Sequence, residues 1–352
     1  MPNASPDPRS SEGCLLPREE DLRHRLHQLL SEHTVPGLAV AVVREGAVSW
    51  CCGLGIRDVG SSEPVTADTV FEAASLSKPV LAFAALQLVE QEHLDRPLDD
   101  YLPAPYLEGN EEPSTITARH VLCHTSGLPN WRKKNQPLRP QHAPSERFSY
   151  SGEGYVCLQK TVSAICEAPI GEVLSSHVFD PLEMQSSTFI WPSPELTDWA
   201  MPHDTKGATR EKEAWDSVNC AAGLHCTASD YARLMAAALT MPIGSEMVST
   251  QTLVNDQPSW HPAWPLGPCR ENEAVGWGLG WGLGTVPDSR TIWHWGDNGG
   301  FRSFAIAWTA TGEGIVILTN SDNGQDLIEE LLRGLNRESW PELDWLNSIY
   351  GR

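Results

Sequence analysis

Apolar residues recur at helical spacing over residues 22–30, and the period then changes. Pro36-Gly37 opens an unbroken apolar run at 38–43, Arg44-Glu45-Gly46 supplies turn chemistry, and 47–53 is again strand-like, so two strands joined by a hairpin are expected. Residues 54–70 read as a Gly- and Thr-rich loop. Beyond them the run 81–89 has no polar face, as in a buried helix. From 81 to about 245, helical patterns at 81–91, 117–122, 154–167, 170–178 and 228–239 alternate with loops. The stretch 100–150 carries Pro103, Pro105, Pro113, Pro129, Pro137, Pro140 and Pro144, and so long a loop in a compact domain is usually functional. A two-residue period returns at the end. Strands are expected at 274–284 (with Trp277-Gly-Leu-Gly-Trp281-Gly-Leu-Gly), 291–295, 302–308 and 314–319, with Thr311-Gly-Glu-Gly as a hairpin turn and an amphipathic helix at 327–335.

Strands at both ends of the chain, linked by tight turns, can share one antiparallel sheet. The expected fold class is therefore α/β: an antiparallel β-sheet flanked by helices, with an inserted, mostly helical domain. The expected boundaries are a loose tail at 1–17, a discontinuous sheet domain at 18–80 and 274–352, and a helical domain at 81–273. An active site is expected in the cleft between the two domains.

Composition narrows the partners. A formal net charge of −21 opposes nucleic acid and anionic membrane surfaces, which require basic patches. No apolar run approaches the 18 or so residues of a membrane span. The Pro- and Ser-rich start lacks a signal-peptide core, so a cytoplasmic location is expected. Nine cysteines, an odd number without a C-x-x-C, suit buried reduced thiols better than a disulfide framework or a zinc site. No motif calls for a metal or another cofactor, and the oligomeric state is not legible.

The chemistry centres on Ser75-Leu-Ser-Lys78, directly before the apolar helix. Residues three apart at a helix start share a face, so the Lys78 amine can reach the Ser75 hydroxyl. Burial lowers a lysine pKa and makes the amine a base near neutral pH. A serine in a first helical turn also meets free N–H groups and the positive end of the dipole. A capped helix start with a solvated lysine has the same letters, but a helix apolar nearly all round gives Lys78 little route to bulk water. Three further stretches carry chemical groups. His124-Thr-Ser-Gly127-Leu-Pro129 has no acidic partner nearby and reads as a hydrogen-bonded structural loop. Tyr150-Ser151-Gly152 precedes a helix and can aim a rigid phenol into a cleft, with its pKa expected to fall beside an ammonium. His294-Trp295-Gly296 ends a strand, with glycine allowing close approach of a ligand to the backbone.

Together, Ser75-Leu-Ser-Lys78, His124-Thr-Ser-Gly-Leu, Tyr150-Ser-Gly152, Ala222-Gly-Leu-His-Cys-Thr-Ala-Ser-Asp230 and His294-Trp-Gly296 resemble, in order and spacing, the serine β-lactamase-like superfamily. Class C β-lactamases, D-alanyl-D-alanine carboxypeptidases and family VIII carboxylesterases are the nearest members, and the resemblance spans about residues 20–336. It implies acyl transfer through a Ser75 ester, with Lys78 and Tyr150 as base and proton relay and the backbone N–H groups of Ser75 and Asp297 as the oxyanion hole. Gly152, His294, Trp295, Gly296 and Arg302 would then lie at the substrate. Two positions depart from the pattern. Gly152 replaces an asparagine that binds the substrate's side-chain amide, and His294 replaces a lysine that holds its carboxylate. With Trp131, Trp293 and Trp295 expected nearby, these changes point to a carboxylesterase for small esters with an apolar acyl or aryl group. A β-lactamase, a D-amino-acid peptidase or amidase, a biosynthetic transacylase and a non-catalytic binding relative are the alternatives.

Overall fold

A computed structural model describes residues 15–88, 94–102, 107, 114–134, 136–192, 197–212, 215, 217–255, 271–286 and 289–350. The expected tail falls mostly outside them. Its last residues are tied to the sheet: Arg44 donates to the Leu16 and Pro17 carbonyls, and the Leu15 N–H donates to Glu313.

The strands are β1 (Gly37–Arg44), β2 (Ala47–Asp58), β3 (Glu63–Pro64), β4 (Phe71–Ala74), β5 (Leu224–Cys226), β6 (Thr252–Asn255), β7 (Glu271–Trp277), β8 (Gly282–Val286), β9 (Ser289–Asn298), β10 (Phe301–Trp308) and β11 (Glu313–Thr319). Nine of them form one antiparallel sheet in the order β3-β2-β1-β11-β10-β9-β8-β7-β6. The first hairpin and the C-terminal strands thus share a sheet, closed by the β1–β11 pairing, in the α/β class expected. The Trp277–Gly284 stretch does not run as one strand. Gly280, at φ +96°, turns the chain so that Trp277 pairs with Gly282 across β7 and β8.

Both faces of the sheet are covered, which explains the unbroken apolar runs of its central strands. In β1, Leu38, Val40 and Val42 face one core, while Ala39, Ala41 and Val43 face the other. The first core lies against the Glu19–Glu32, Gly324–Arg333 and Pro341–Tyr350 helices and is rich in indole, with Trp277, Trp293, Trp308 and Trp345 buried in it. The second lies against the Ser77–Leu88, Gly152–Ile165 and Ala228–Thr240 helices. There the alanines of β1 let the Ala228–Thr240 helix approach closely. In the Ser77–Leu88 helix every residue from Ser77 to Ala85 is buried, because it passes between the sheet and the other helices. The Pro341–Tyr350 helix, the β4–β5 pair and β6 have no counterpart among the elements expected from the sequence pattern. No helix among the described residues is long and apolar enough to cross a membrane.

Candidate active site

Ser75 sits in the tight turn between β4 and the Ser77–Leu88 helix, two residues before the first helical residue rather than inside the first turn. Ala74, at φ 51°, is in the left-handed region, an uncommon position for a residue with a Cβ and worth about 1–2 kcal/mol of strain. The surroundings hold that conformation in place. Ser77 Oγ donates to the Ala74 carbonyl and accepts from Leu224 N–H, while Ser303 Oγ donates to the Ala73 carbonyl. Gly296, on β9, packs on the same Ala73 carbonyl, where a Cβ would lie 2.3 Å from the oxygen.

Lys78 is fully buried, and its Nζ lies 3.0 Å from Ser75 Oγ and 2.7 Å from the Ala221 carbonyl. Burial pushes its pKa well below the ordinary lysine value, with no carboxylate close enough to oppose the shift. A neutral amine can donate to Ala221 and keep its lone pair for the Ser75 proton. The Tyr150 ring lies 4.7 Å from Lys78 Nζ, and its buried hydroxyl approaches Ser75 without a hydrogen bond of normal geometry. The expectation of an acidified phenol is overturned. Burial raises the Tyr150 pKa above its ordinary value, outweighing the Ser75 contact, because a deprotonated Lys78 offers no charge to stabilise a phenolate.

Behind this trio stands His124. Its Nδ1 accepts from Ser151 N–H at 3.0 Å and its carbonyl from Ser149 N–H at 2.6 Å, and its ring packs 4.3 Å from Tyr150. An accepting Nδ1 leaves the ring proton on Nε2. Burial pushes its pKa well down, so this histidine is a neutral support for the Tyr150 loop. Ser151 continues that loop as the N-cap of the Gly152–Ile165 helix, accepting from Gly154 N–H and donating to the Pro129 carbonyl.

The other residues expected at the substrate are spread in depth. A cleft of about 100 Å³ opens beside Ser75 and Tyr150, lined also by Asn130, Trp131, Ala222, Trp295, Asp297, Asn298 and Tyr350. Trp295 and Asp297 thus face the space next to Ser75. Gly152 lies beneath Trp131, with its N–H on Asn130. His294 is fully buried: Nδ1–H donates to the Trp295 carbonyl, and burial drives its pKa down to about 3. Trp293 packs in the indole-rich core, away from the cleft. Arg302 is held by Asp297 at 2.8 Å and Asp322 at 3.1 Å. Cys123 and Cys157 are buried thiols whose pKa values burial raises, that of Cys157 to about 12, so neither is a thiolate at neutral pH.

A sequence model of the beta-lactamase family matches residues 22–335, most of the chain. The chain belongs to the beta-lactamase family. In this family it is 28% identical to penicillin-binding protein 4 of Amycolatopsis lactamdurans, with 91% of each chain covered. It is 24% identical to protein flp of Staphylococcus aureus over 89% of its own length but 64% of flp, so it spans less than two thirds of that relative. Among solved structures, an octameric penicillin-binding protein homologue from Pyrococcus abyssi superposes with a TM-score of 0.73 (22% identity, covering 93% of this chain and 80% of that one). The D-alanine carboxypeptidase AmpC from Burkholderia cenocepacia gives 0.71 (20% identity, 90% and 99% covered). The fold is thus that of the beta-lactamase family, whose members are serine hydrolases.

Sequence reasoning missed several residues of this beta-lactamase-type cleft. Asn130 and Asn298 each sit one or two positions beyond a motif already singled out, so the signal was adjacent. Tyr350 comes from a terminal helix that the pattern did not reveal. In the neighbouring cavity, Lys212, which pairs with the buried Glu72 beside Asn298, lies in a polar stretch that reads as loop.

Proposed function

We propose that the chain is a serine carboxylesterase acting on small, neutral esters through a Ser75 acyl-enzyme. Lys78 takes the Ser75 proton as Oγ attacks the ester carbonyl. The developing oxyanion is assigned to the N–H groups of Ser75 and Asp297. Tyr150, kept protonated by burial, gives its proton to the leaving alkoxide and takes the one that Lys78 received, so both groups return to their neutral forms. Water then repeats the sequence to release the acid.

The observation that carries the substrate choice is the ring of groups around the cleft. A substrate carboxylate would need a cation. His294 is neutral and buried, Asp297 brings a negative charge to the rim, and Arg302 is already paired with two carboxylates. Trp131, Trp295 and Tyr350 offer aromatic surface to an acyl or aryl group instead. The names of the relatives favour a second reading, β-lactam or D-amino-acid peptide chemistry. Turnover on short-chain p-nitrophenyl esters and on nitrocefin separates the two. Esters should lead in kcat/KM by at least about two orders of magnitude, roughly 2.7 kcal/mol at the transition state. Equal efficiency, with the nitrocefin activity lost in Arg302→Ala, would overturn the esterase reading in favour of the second.

A further inference from the structure

The geometry points to an anion-binding groove beside the cleft, where Lys133 and Arg139 hold a carboxylate or phosphate carried at the far end of the substrate. This rests on the ester-hydrolase reading and extends it. A small neutral ester supplies the part that fills the cleft, and the groove lies beyond it.

The groove is a cavity of about 510 Å³ on the loop that follows His124-Thr-Ser-Gly127. Asn130 and Trp131 line both this cavity and the cleft at Ser75, so the two spaces meet at the Trp131 ring. Gly152 permits that junction. A Cβ there would lie 2.8 Å from the ring, so the departure from the motif pattern seats an indole between cleft and groove. The ring is half exposed, and an apolar spacer can lie on it. The loop itself is held in place: Leu138 is buried in the core, Gln141 N–H donates to the Gly127 carbonyl at 2.7 Å, and Pro137 and Pro140 restrict the backbone on either side of Arg139.

Charge decides what such a groove takes. Residues 131–147 hold five of the chain's 25 Lys and Arg but one of its 46 Asp and Glu. Arg132, Lys133 and Arg139 line the groove, and no carboxylate among the described residues does. Arg132 is held by Glu153 at 3.4 Å. Lys133 and Arg139 are exposed, and neither pairs with a described carboxylate. The other cations around the cleft are already matched. Arg302 is paired with Asp297 and Asp322, and in the cavity beyond Asn298 Arg210 is paired with Asp322 and Lys212 with Glu72. An anion on the substrate therefore finds unpaired positive charge past Trp131, where a guanidinium offers a fork of donors to its oxygens and an ammonium adds a second charge.

Esters of matched chain length ending in carboxylate, phosphonate, methyl or trimethylammonium test this. One series varies the acyl side of a p-nitrophenyl ester, and another varies the alcohol side of an acetate. The net charge of −21 acting alone favours the ammonium end. The groove favours the reverse order in the series whose chain enters it. There kcat/KM should be about tenfold higher for carboxylate than for trimethylammonium at low ionic strength, with methyl between them. The gap should close near about 1 M salt, where the Debye length is about 3 Å. Phosphonate above carboxylate would assign the groove to a phosphate, and the opposite order to a carboxylate. Lys133→Gln with Arg139→Gln should remove the anion preference, and Lys133→Glu with Arg139→Glu should invert it, read as ratios within each variant. A flat order or an ammonium preference in both wild-type series overturns the inference and leaves the hydrolase reading standing. So does an anion preference that survives in the Gln variant. No turnover of any of these esters overturns that reading and the inference with it.

Discussion

The floor of the cleft and its walls are built by different rules. The floor, Ser75 with Lys78, Tyr150 and His124 beneath, is dry: Lys78 and His124 are fully buried, Tyr150 nearly so, and burial moves the pKa of all three toward the neutral form. The walls carry the charge. Asp297, Arg302 and Asp322 form one ion-paired chain, and Glu72 with Lys212 forms another. Acyl transfer needs a desolvated amine next to a hydroxyl, which any substrate of the family requires. Recognition depends on what faces the acyl and leaving groups, and that is where the chain departs from the motif pattern. In the proposed mechanism the floor sets whether the protein reacts, and the walls set with what.

Breaking the floor should have the largest effect. Ser75→Ala is expected to lower ester turnover on the order of 10³-fold or more and to abolish stoichiometric labelling by a fluorophosphonate. Wild-type turnover in the variant, or intact-mass spectra placing the label on Cys123 or Cys157, would move the chemistry elsewhere.

Next come Lys78 and Tyr150, which should behave as one unit. Lys78→Met, Tyr150→Phe and the double variant are expected to share a similar residual rate, on the order of 10²- to 10⁴-fold down. Multiplicative losses would mean two independent roles. The wild-type rate should fall as pH drops through the lowered Lys78 pKa, since the protonated amine cannot accept the Ser75 proton. Stability has a matching sign. The unfolded chain binds a proton at Lys78 that the native state resists, so the cost to stability is full below the lowered native pKa, shrinks as pH rises through it and is gone above the ordinary lysine value. Lys78→Met should therefore melt at a higher temperature than wild type at pH 7 while losing activity. A lower melting temperature would show that the Ala221 and Ser75 contacts outweigh the burial of the amine.

Much of the floor was legible in the letters, because Ser75 and Lys78 lie in one short stretch and their spacing fixes their meeting. The central strands were legible for a similar reason: β1 and β11 are apolar runs between turns, and the sheet buries both their faces. The walls were not, because they are assembled from distant segments by packing. Nothing local marks Asn130 as the partner of Gly152, or Tyr350 as a neighbour of Asp297. The Tyr150 pKa was read in the wrong direction because the sequence supplies an ammonium at Lys78, and burial removes that charge. The Trp277–Gly284 repeat alternates as a strand does, yet a glycine placed for a turn leaves the same alternation, and Gly280 is that turn.

Gly152→Asn sharpens the boundary between floor and wall by restoring the missing motif residue. A Cβ at Gly152 would lie 2.8 Å from the Trp131 ring and 2.9 Å from the Asn130 carbonyl. Overpacking of this kind costs about 1–3 kcal/mol, and the 45% exposure of Trp131, which lets the ring yield, favours the low end. The variant should melt lower and gain no nitrocefin turnover. A tenfold gain without loss of stability would show that one side chain, and not the whole wall, separates this chain from lactam chemistry.

The smallest effect is expected at the wall farthest from Lys78 in the chain. Tyr350 Oη donates to Asp297 Oδ2 at 2.7 Å and accepts from Trp295 Nε1 at 3.2 Å, so one hydroxyl joins an aromatic wall to the carboxylate at the rim. Tyr350→Phe keeps the ring and removes that link. Asp297 retains Arg302, so its charge stays compensated, but Trp295 loses the acceptor for its indole N–H. The loss of a hydrogen bond of this kind is worth about 0.5–1.5 kcal/mol, or roughly two- to tenfold in kcat/KM for esters. Because the hydroxyl touches neither Ser75 nor Lys78, the acid limb of the pH–rate profile should stay where Lys78 sets it. An acid limb that moves in Tyr350→Phe would mean that the rim charge reaches the amine, and floor and walls would then have to be treated as one electrostatic unit.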